Sequence, residues 1–274
     1  METVVRYIRP LVWGCEVIGF MQRPNQKNPV DITTELVRGK KINHVGRVGK
    51  YIVFSLDDGY LVSHLRMTGQ WFFTDKEKPA PNAEKHFRWG LTVRDLSGEF
   101  SGYLWFNDPR KFGTLEWVSS LYNYEVFGRL GPDGLLLNDP KVIYQVFLAA
   151  QKSRRPIKNF LLDQKVIAGV GNIYASEALF EAKINPLEAA NKLTQSQVER
   201  LCRATYRIFK LAIDLGGASI SDYTGGRYHE LLRVYGRVGE DCYECNRQIE
   251  KTTQAGRSTF FCPKCQGVEE NELF

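Results

Sequence analysis

Long apolar runs are missing from this sequence, and histidine and cysteine are scarce. No stretch reaches the roughly 18 consecutive apolar residues that a membrane-spanning helix requires, and no pattern resembles a signal peptide. The 274 residues include only four histidines and six cysteines. We therefore expect a protein that neither crosses a membrane nor is secreted.

The composition is ordinary for a globular protein, but the basic residues are unevenly distributed. Hydrophobic residues make up 43% of the 274 residues, a length that suits two or three domains. The formal charge is +6. Residues 1–150 carry 19 basic against 16 acidic side chains, whereas residues 151–265 carry 18 against 12. This basic C-terminal half favours a polyanionic partner.

Four of the six cysteines form two CxxC pairs that bracket sixteen residues: Cys242, Cys245, Cys262 and Cys265. This spacing is typical of a structural zinc ion held by four thiolates. Disulfides and unligated core cysteines are the alternatives. Cys15 and Cys202 stand alone, which together with the metal interpretation favours a reducing cytoplasm.

The segment between the CxxC pairs is basic and β-like. It carries Arg247, Lys251 and Arg257 against one acid, Glu250. The strand-like TTQ and STFFC on either side of AGR predict a β-hairpin with its turn at Ala255–Gly256. A closed four-thiolate site has no open position for catalysis, so we expect the metal to stiffen a hairpin that presents Arg257.

Periodicity divides the chain into a β-rich part and a helical part. A first helix is predicted over Thr3–Val12, and strands between Lys41 and about Trp117, with a hairpin at the DDG turn before Tyr60. Later signals are helical, including a capping box at Thr194 and Gln197. The sequence therefore predicts an α+β protein with a β domain over 1–125, a linker around GPDG over 126–140, a helical domain over 141–235 and a zinc finger over 236–266.

Glycines precede a predicted helix in AGVGNIYASEALFEAKINP. Gly169 and Gly171 allow tight turns just before a helix that starts near Asn172. Backbone N–H groups at such a helix start, with an asparagine side chain, can form a phosphate cradle. A helix–helix turn without a ligand is the alternative.

Two further stretches, SHLRMTG at 63–69 and NDPRKFG at 107–113, place bulky and charged side chains beside a glycine. Taken singly, the notable residues have ordinary explanations: core packing for Met67 and Phe112, a solvated surface for Arg110 and Lys111, a structural role for His64 and His86, and an exposed strand start for Lys50.

Taken together, these segments resemble the formamidopyrimidine-DNA glycosylases of the Fpg/Nei superfamily. The resemblance covers ETVVRYIRP in the first helix, SHLRMTG and DPRKFG in the β domain, AGVGNIYASEALF in the helix–two-turns–helix element, and VYGRVGEDCYEC with AGRSTFFCPKC in the zinc finger. It implies an N-terminal β-sandwich with a first helix, followed by a helix–two-turns–helix domain with a four-cysteine zinc-finger β-hairpin.

The resemblance implies a base-excision-repair enzyme that acts on oxidised purines, such as 8-oxoguanine and formamidopyrimidines. Such enzymes flip the nucleotide out of duplex DNA, cut its glycosidic bond and nick the strand by β,δ-elimination. The implied partner is damaged double-stranded DNA, and the implied cofactor is one structural zinc per chain. A monomer in the bacterial cytoplasm, at the nucleoid when bound to DNA, is implied as well.

Individual residues match functional positions of the family. Met67 and Phe112 match side chains that fill the vacated space in the base stack, and Arg110 matches one that hydrogen-bonds the orphaned base. Contacts to the DNA backbone are implied for Asn172, Lys158 and Arg257, with looser matches at His86 and Arg154. Lys50 and Arg257 are implied in catalysis: Lys50 near the lesion, where it assists elimination, and Arg257 on the backbone.

Two features differ from the family pattern. The segment GGASISDYTGGRYHELLRVYG, which in the family closes over the extruded base, is several residues shorter than usual, and this leaves base preference open. Family members also begin Pro-Glu-Leu-Pro-Glu-Val, where the proline amine is the nucleophile and the next glutamate assists it. Here Met1 aligns with that Val, so we expect Glu2 to belong to the first helix and not to be the catalytic glutamate.

Two hypotheses follow from this start. In the first, the chain is a glycosylase whose start was assigned too late, since GTG encodes Val and can also initiate; the upstream codons would then encode Pro-Glu-Leu-Pro-Glu. In the second, it is a catalytically inactive relative that binds lesion or abasic DNA. The first is preferred because residues useful only for flipping and cleavage are present. A zinc-ribbon nucleic-acid binder without lesion specificity would explain the cysteines but not DPRKFG or AGVGNIY.

Overall fold

The computed structural model describes residues 1–24, 30–75, 84–98, 101–217 and 226–268. It contains two compact units: the first covers Met1–Gly128, and the second begins at Arg129. Each unit has its own hydrophobic core.

The first unit combines two four-stranded antiparallel sheets with a helix. Its elements are α1 (Glu2–Val12), β1 (Glu16–Gln22), α2 (Thr34–Val37), β2 (His44–Val48), β3 (Tyr51–Ser55), β4 (Tyr60–His64), β5 (Gln70–Thr74), β6 (Phe87–Arg94), β7 (Ser101–Asn107), β8 (Thr114–Val118) and α3 (Glu125–Gly128). The strand orders are β1-β6-β7-β5 and β2-β3-β4-β8. Apolar side chains of both sheets and of α1 join one buried cluster, which confirms the predicted β-sandwich with a first helix.

Local sequence signals account for these elements. The first helix buries one apolar side, formed by Val4, Val5, Ile8 and Val12, as its periodicity predicts. Between β3 and β4 the N–H of Leu56 donates to the carbonyl of Gly59 at 2.8 Å, which closes the predicted hairpin.

The second unit is mostly helical and includes one β-hairpin near its C-terminal end. Its elements are α4 (Pro140–Gln151), α5 (Ile157–Leu162), α6 (Asn172–Glu181), α7 (Gln195–Asp214), β9 (Glu250–Gln254), β10 (Arg257–Phe261) and α8 (Pro263–Gln266), with 3₁₀ turns at Gly134–Leu136, Ala190–Lys192 and Tyr228–Leu231. The capping box of Thr194 and Gln197 opens α7 as predicted. Within the described ranges, no helix is both long and apolar enough to cross a membrane.

Part of the segment expected as a linker, residues 126–140, is hydrogen-bonded to the second unit. The N–H groups of Gly131 and Gly134 donate to the carbonyls of Gln164 and Ala168, each at 2.9 Å. From Gly131 onward the chain is therefore held by the turn that precedes α6.

The zinc-finger hairpin forms where the sequence predicts it. Strands β9 and β10 pair antiparallel from Arg257 opposite Gln254 to Phe261 opposite Glu250. The φ angles of Ala255 and Gly256 are 47° and 73°, which is the backbone of a two-residue type I′ turn. Arg257 is the first residue after that turn.

A buried carboxylate fixes the VYG segment to α6. Glu177 is 2% exposed and accepts the N–H groups of Arg233, Val234 and Tyr235 at 2.9, 3.0 and 2.8 Å. Burial raises the pKa of its carboxyl, and the three N–H donors oppose that shift. In the shortened loop before this segment, residues 218–225 lie outside the described residues.

Candidate nucleic-acid interface

Two loops of the first unit bring three exposed side chains together. Met67 lies between β4 and β5, whereas Arg110 and Phe112 lie between β7 and β8. The Arg110 guanidinium lies 5.2 Å from the Phe112 ring centre, and its Nη1 lies 3.1 Å from Met67 Sδ. Met67 is 71% exposed and Phe112 54%, so neither is the core residue that its type alone predicts. These three residues are called the wedge below.

The two loops that carry the wedge pack against a cluster of buried aromatic rings. Phe106 is fully buried, stacks on Trp89 with ring centres 4.5 Å apart, and meets Trp71 edge-on at 5.0 Å. A Cβ at Gly69 would lie 2.6 Å from the Phe106 ring, and one at Gly113 would lie 2.5 Å from it. Both loops close on the same ring because these two positions are glycine.

Lys50 lies in the turn between β2 and β3, directly after Gly49, whose φ is 55°. The ring of His64 meets the ring of Tyr51, the residue after Lys50, edge-on, with the ring centres 4.6 Å apart. His64 Nδ1 accepts the N–H of Arg66 at 2.9 Å. Burial, together with the charges of Arg66 and Lys50, lowers the pKa of His64 to about 4. His64 is therefore neutral at pH 7, and its Nδ1 holds the backbone at Arg66.

His86 lies beside a small cavity rich in cations. With Arg23, Arg88, Lys111 and one carboxylate, Asp108, it lines a space of about 280 Å³. The His86 carbonyl accepts the N–H of Asp108 at 2.9 Å. Clustered cations suit a phosphate, and a DNA contact of His86 stays a prediction.

In the second unit, Lys158, Asn172 and Arg257 belong to one cluster. Lys158 Nζ donates to the Ser258 carbonyl at 2.7 Å and to Thr259 Oγ1 at 2.8 Å. Asn172 Nδ2 donates to the same carbonyl at 2.9 Å. Arg257 directly precedes Ser258 and is exposed. Two of the predicted DNA-contacting residues therefore hold the strand that carries the third.

Lys158, for which the resemblance implies a contact to the DNA backbone, does not lie on the protein surface. Its side chain is fully buried, and burial together with the charge of Arg257 lowers its pKa to about 8. The amine is directed at β10, and a direct phosphate contact of Lys158 stays a prediction. The exposed cation of this cluster is Arg257.

The turn before α6 depends on a residue that the sequence did not single out. Gln164 Nε2 donates to the Val170 carbonyl, and its Oε1 accepts the Gly169 N–H, both at 3.0 Å. Gly169 has a φ of 100°, which favours glycine. As at any helix start, the first N–H groups of α6 have no carbonyl partner within the helix itself.

Arg154, the looser match to a DNA-contacting position, is exposed just ahead of α5.

The four predicted metal ligands converge. The Sγ atoms of Cys242, Cys245, Cys262 and Cys265 all lie within 4.8 Å of one another, with separations of 3.8 and 3.4 Å for two of the pairs. A tetrahedral zinc with Zn–S bonds of about 2.3 Å places its sulfurs about 3.8 Å apart. The cysteines form no disulfide. They fit one structural zinc ion, which confirms the sequence prediction.

Comparison with known proteins gives one consistent answer. Three family profiles match: the formamidopyrimidine-DNA glycosylase N-terminal domain over residues 1–115, the formamidopyrimidine-DNA glycosylase H2TH domain over 130–224, and the zinc finger found in FPG and IleRS over 239–268. A formamidopyrimidine-DNA glycosylase of Thermus thermophilus is 37% identical over 277 residues, which cover 97% of each chain.

Solved structures agree with the sequence matches. The Lactococcus lactis formamidopyrimidine-DNA glycosylase bound non-covalently to DNA with an AP site is similar at a TM-score of 0.86, with 34% identity and 97% of both chains covered. The same enzyme in complex with FAPY-dG DNA is similar at a TM-score of 0.85, with the same identity and coverage.

Proposed function

The chain belongs to the formamidopyrimidine-DNA glycosylase family, and from this membership we propose that it excises oxidised purines, 8-oxoguanine and formamidopyrimidines, from duplex DNA and nicks the strand by β,δ-elimination. The observation that carries the proposal is the wedge. Its Met67 and Arg110 are 43 residues apart in sequence but in contact. They stand with Phe112 as an exposed group of two apolar side chains and one guanidinium.

The wedge has the chemistry that base flipping requires. Extruding a nucleotide leaves a gap in the stack and an orphaned partner base. A flexible methionine and a flat phenylalanine can fill the gap. The guanidinium beside them can hydrogen-bond the edge of the orphaned base, so Arg110 would read which base stood opposite the lesion.

Replacing Arg110 with alanine is expected to blunt discrimination by the base opposite the lesion. Without its guanidinium the preference should fall roughly tenfold, because a good base contact contributes about 1–3 kcal/mol. Binding to duplexes that carry a stable lesion analogue opposite each of the four bases measures this preference. Arg154→Ala is the matched control and should change affinity without changing the preference. An Arg110→Ala protein whose preference is intact and whose salt dependence alone is altered would refute this role.

The zinc hairpin is proposed to hold the DNA backbone through Arg257. Removing a cation that binds one phosphate should reduce the slope of log affinity against log salt by about 0.9, and Arg257→Ala should show this decrease. If Lys158 acts by holding β10, Lys158→Met should reduce the slope similarly but add little in the Arg257→Ala background. Additive slope changes would instead indicate that Lys158 contacts its own phosphate. Arg203→Ala, which removes a surface cation of α7, is the control.

The proposed chemistry is covalent catalysis by an N-terminal amine. The amine attacks C1′ of the damaged nucleotide, the base leaves with the electrons of the glycosidic bond and takes up a proton, and the sugar ring opens to a Schiff base. Loss of a proton from C2′ expels the 3′ phosphate, and δ-elimination then expels the 5′ phosphate. Lys50 is proposed to contact DNA near the lesion and assist elimination. The zinc, enclosed by four thiolates, stabilises the hairpin and takes no part in these steps.

Each unit is proposed to have its own task. The first unit supplies the wedge and Lys50, and the second supplies the helix–two-turns–helix element and the hairpin with Arg257. Asn172 and His86 are proposed as further backbone contacts. The protein is proposed to act as a monomer in the bacterial cytoplasm, at the nucleoid while it is bound to DNA.

A further inference from the structure

Asp108 is a buried carboxylate with no part in the chemistry described above. It is 1% exposed. Its Oδ2 accepts the N–H of Gly113 at 2.7 Å, and its Oδ1 accepts the N–H of Arg110 at 3.2 Å and the hydroxyl of Thr68. The Thr68 oxygen also accepts the N–H of Arg110 at 3.3 Å. One carboxylate therefore contacts both wedge loops.

Each of these bonds fixes the backbone beside a wedge side chain. Thr68 follows Met67, Gly113 follows Phe112, and Arg110 is itself a wedge residue. Within the same loops Arg66 and Lys111 have φ angles of 54° and 61°. Such left-handed backbone is disfavoured for residues with a side chain and persists where surrounding contacts hold it.

The buried charge of Asp108 is compensated locally. Two N–H groups and one hydroxyl donate to it, and bonds to an ionised acceptor are stronger than neutral ones. Burial lowers the pKa of the Arg88 guanidinium, which is 2% exposed, and the charge of the neighbouring Asp108 opposes that lowering. These donors and the neighbouring guanidinium offset the cost of burying the carboxylate, which holds both loops.

We propose that Asp108 and Thr68 are positioning residues that lock the Met67 loop to the Arg110–Phe112 loop, so that the wedge enters the DNA stack preassembled. The effect on DNA rests on the proposed function, whereas the lock itself is a property of the free protein. Side chains that are already ordered lose less entropy on binding, so an unlocked wedge should insert more slowly. The stretch NDPRKFG is consistent with this role, because an aspartate just before proline commonly accepts nearby backbone N–H groups in a turn.

The first test compares Thr68→Val with Thr68→Ser. Valine removes the hydroxyl at nearly unchanged volume, and serine keeps it. Stopped-flow fluorescence of 2-aminopurine placed beside a lesion reports unstacking. Thr68→Val should slow this step roughly tenfold, the effect of losing one charge-assisted bond, and Thr68→Ser should stay close to the unmodified protein. Asp57→Asn is the matched control, because Asp57 also accepts a backbone N–H, from Lys41 at 2.9 Å, but outside the wedge loops.

A double-mutant cycle separates positioning from general destabilisation. If Thr68 acts through the wedge, adding Thr68→Val to a Met67→Ala protein should slow unstacking less than about twofold. Adding it to an Arg257→Ala protein should slow unstacking by the same factor, roughly tenfold, as in the unmodified protein. Full additivity with Met67→Ala would overturn the proposal.

Amide hydrogen exchange of the free protein gives an answer that does not depend on DNA. Asp108→Asn should accelerate exchange at Gly113, and Thr68→Val should accelerate it at Arg110, while Asp57→Asn should change neither. Unchanged exchange in Asp108→Asn would overturn the lock even if lesion DNA is unstacked normally. Accelerated exchange in a protein that never unstacks lesion DNA would support the lock and refute the proposed function instead.

Discussion

A polypeptide that begins Pro-Glu-Leu-Pro-Glu-Val and continues at Glu2 is expected to form a borohydride-trapped adduct with lesion DNA. One that begins at Met1 should bind the same DNA with at least about 100-fold less adduct, because misplacing a nucleophile by about 1 Å can already reduce a rate that much. The carbonyl of Met1 accepts the N–H of Val5 at 2.9 Å, and its side chain packs on the core of the first unit. Five further residues can reach up to about 17 Å from this point, so the added amine has access to places that the Met1 amine cannot reach.

Glu2 has a structural task that fits this expectation. Its carboxylate pairs with Arg6 at 3.1 Å and with Arg47 at 3.0 Å. Burial acts to raise the pKa of Glu2, but the two arginines outweigh it and hold that pKa below its usual value. Glu2 is thus the first residue of α1, as the sequence predicts, and an ionised partner of two arginines.

Controls locate the source of any gained activity. Changing the added proline to glycine and the added first glutamate to glutamine should abolish the adduct while leaving binding to abasic-site DNA intact. Weak trapping through the Met1 amine or Lys50 is compatible with this account. Equal trapping by a polypeptide that mass spectrometry shows to begin at Met1 would place the nucleophile elsewhere.

Loss of zinc is expected to disorder the hairpin and lower DNA affinity at least about tenfold, because thiolate ligation contributes about 10–16 kcal/mol to folding in small zinc motifs. Cys262→Ser should reduce the zinc content from about one per chain, measured by atomic emission, and should accelerate amide exchange through β9 and β10. The hairpin would then no longer present Arg257, although Lys158 and Asn172 remain in place.

A cysteine outside the cluster provides the control for the zinc experiment. Cys202 is 1% exposed in the core of the second unit, so Cys202→Ser should lower thermal stability but keep the zinc and the hairpin. DNA binding that stays intact in a protein purified without chelator and free of metal would contradict the role given to zinc.

The features that sequence predicted well depend on neighbours along the chain. The capping box at Thr194, the type I′ turn at Ala255–Gly256 and the two CxxC pairs are local patterns whose geometry follows from a few adjacent residues. The wedge residues were found through family resemblance. From their side-chain types alone, Met67 and Phe112 would be expected in the hydrophobic core.

The features that sequence missed depend on distant contacts. Lys158 meets Ser258 across 100 positions and Thr68 meets Asp108 across 40, and no periodicity or local motif records such pairs. Lysine is among the residues least often fully buried, and no local pattern marks Lys158 as an exception. No local pattern marks Glu177 either, because the N–H groups that it binds lie more than 50 positions away.

Release of the free damaged base distinguishes an enzyme that excises lesions from a relative that only binds them. The polypeptide extended with Pro-Glu-Leu-Pro-Glu-Val would be incubated with a duplex that contains one 8-oxoguanine opposite cytosine, and the liberated base quantified by mass spectrometry. We expect release of 8-oxoguanine, strand ends that carry phosphate on both sides of the gap, and no release from the undamaged duplex. Tight binding to the lesion duplex without any released base would contradict it and indicate a relative that binds damage but does not excise it.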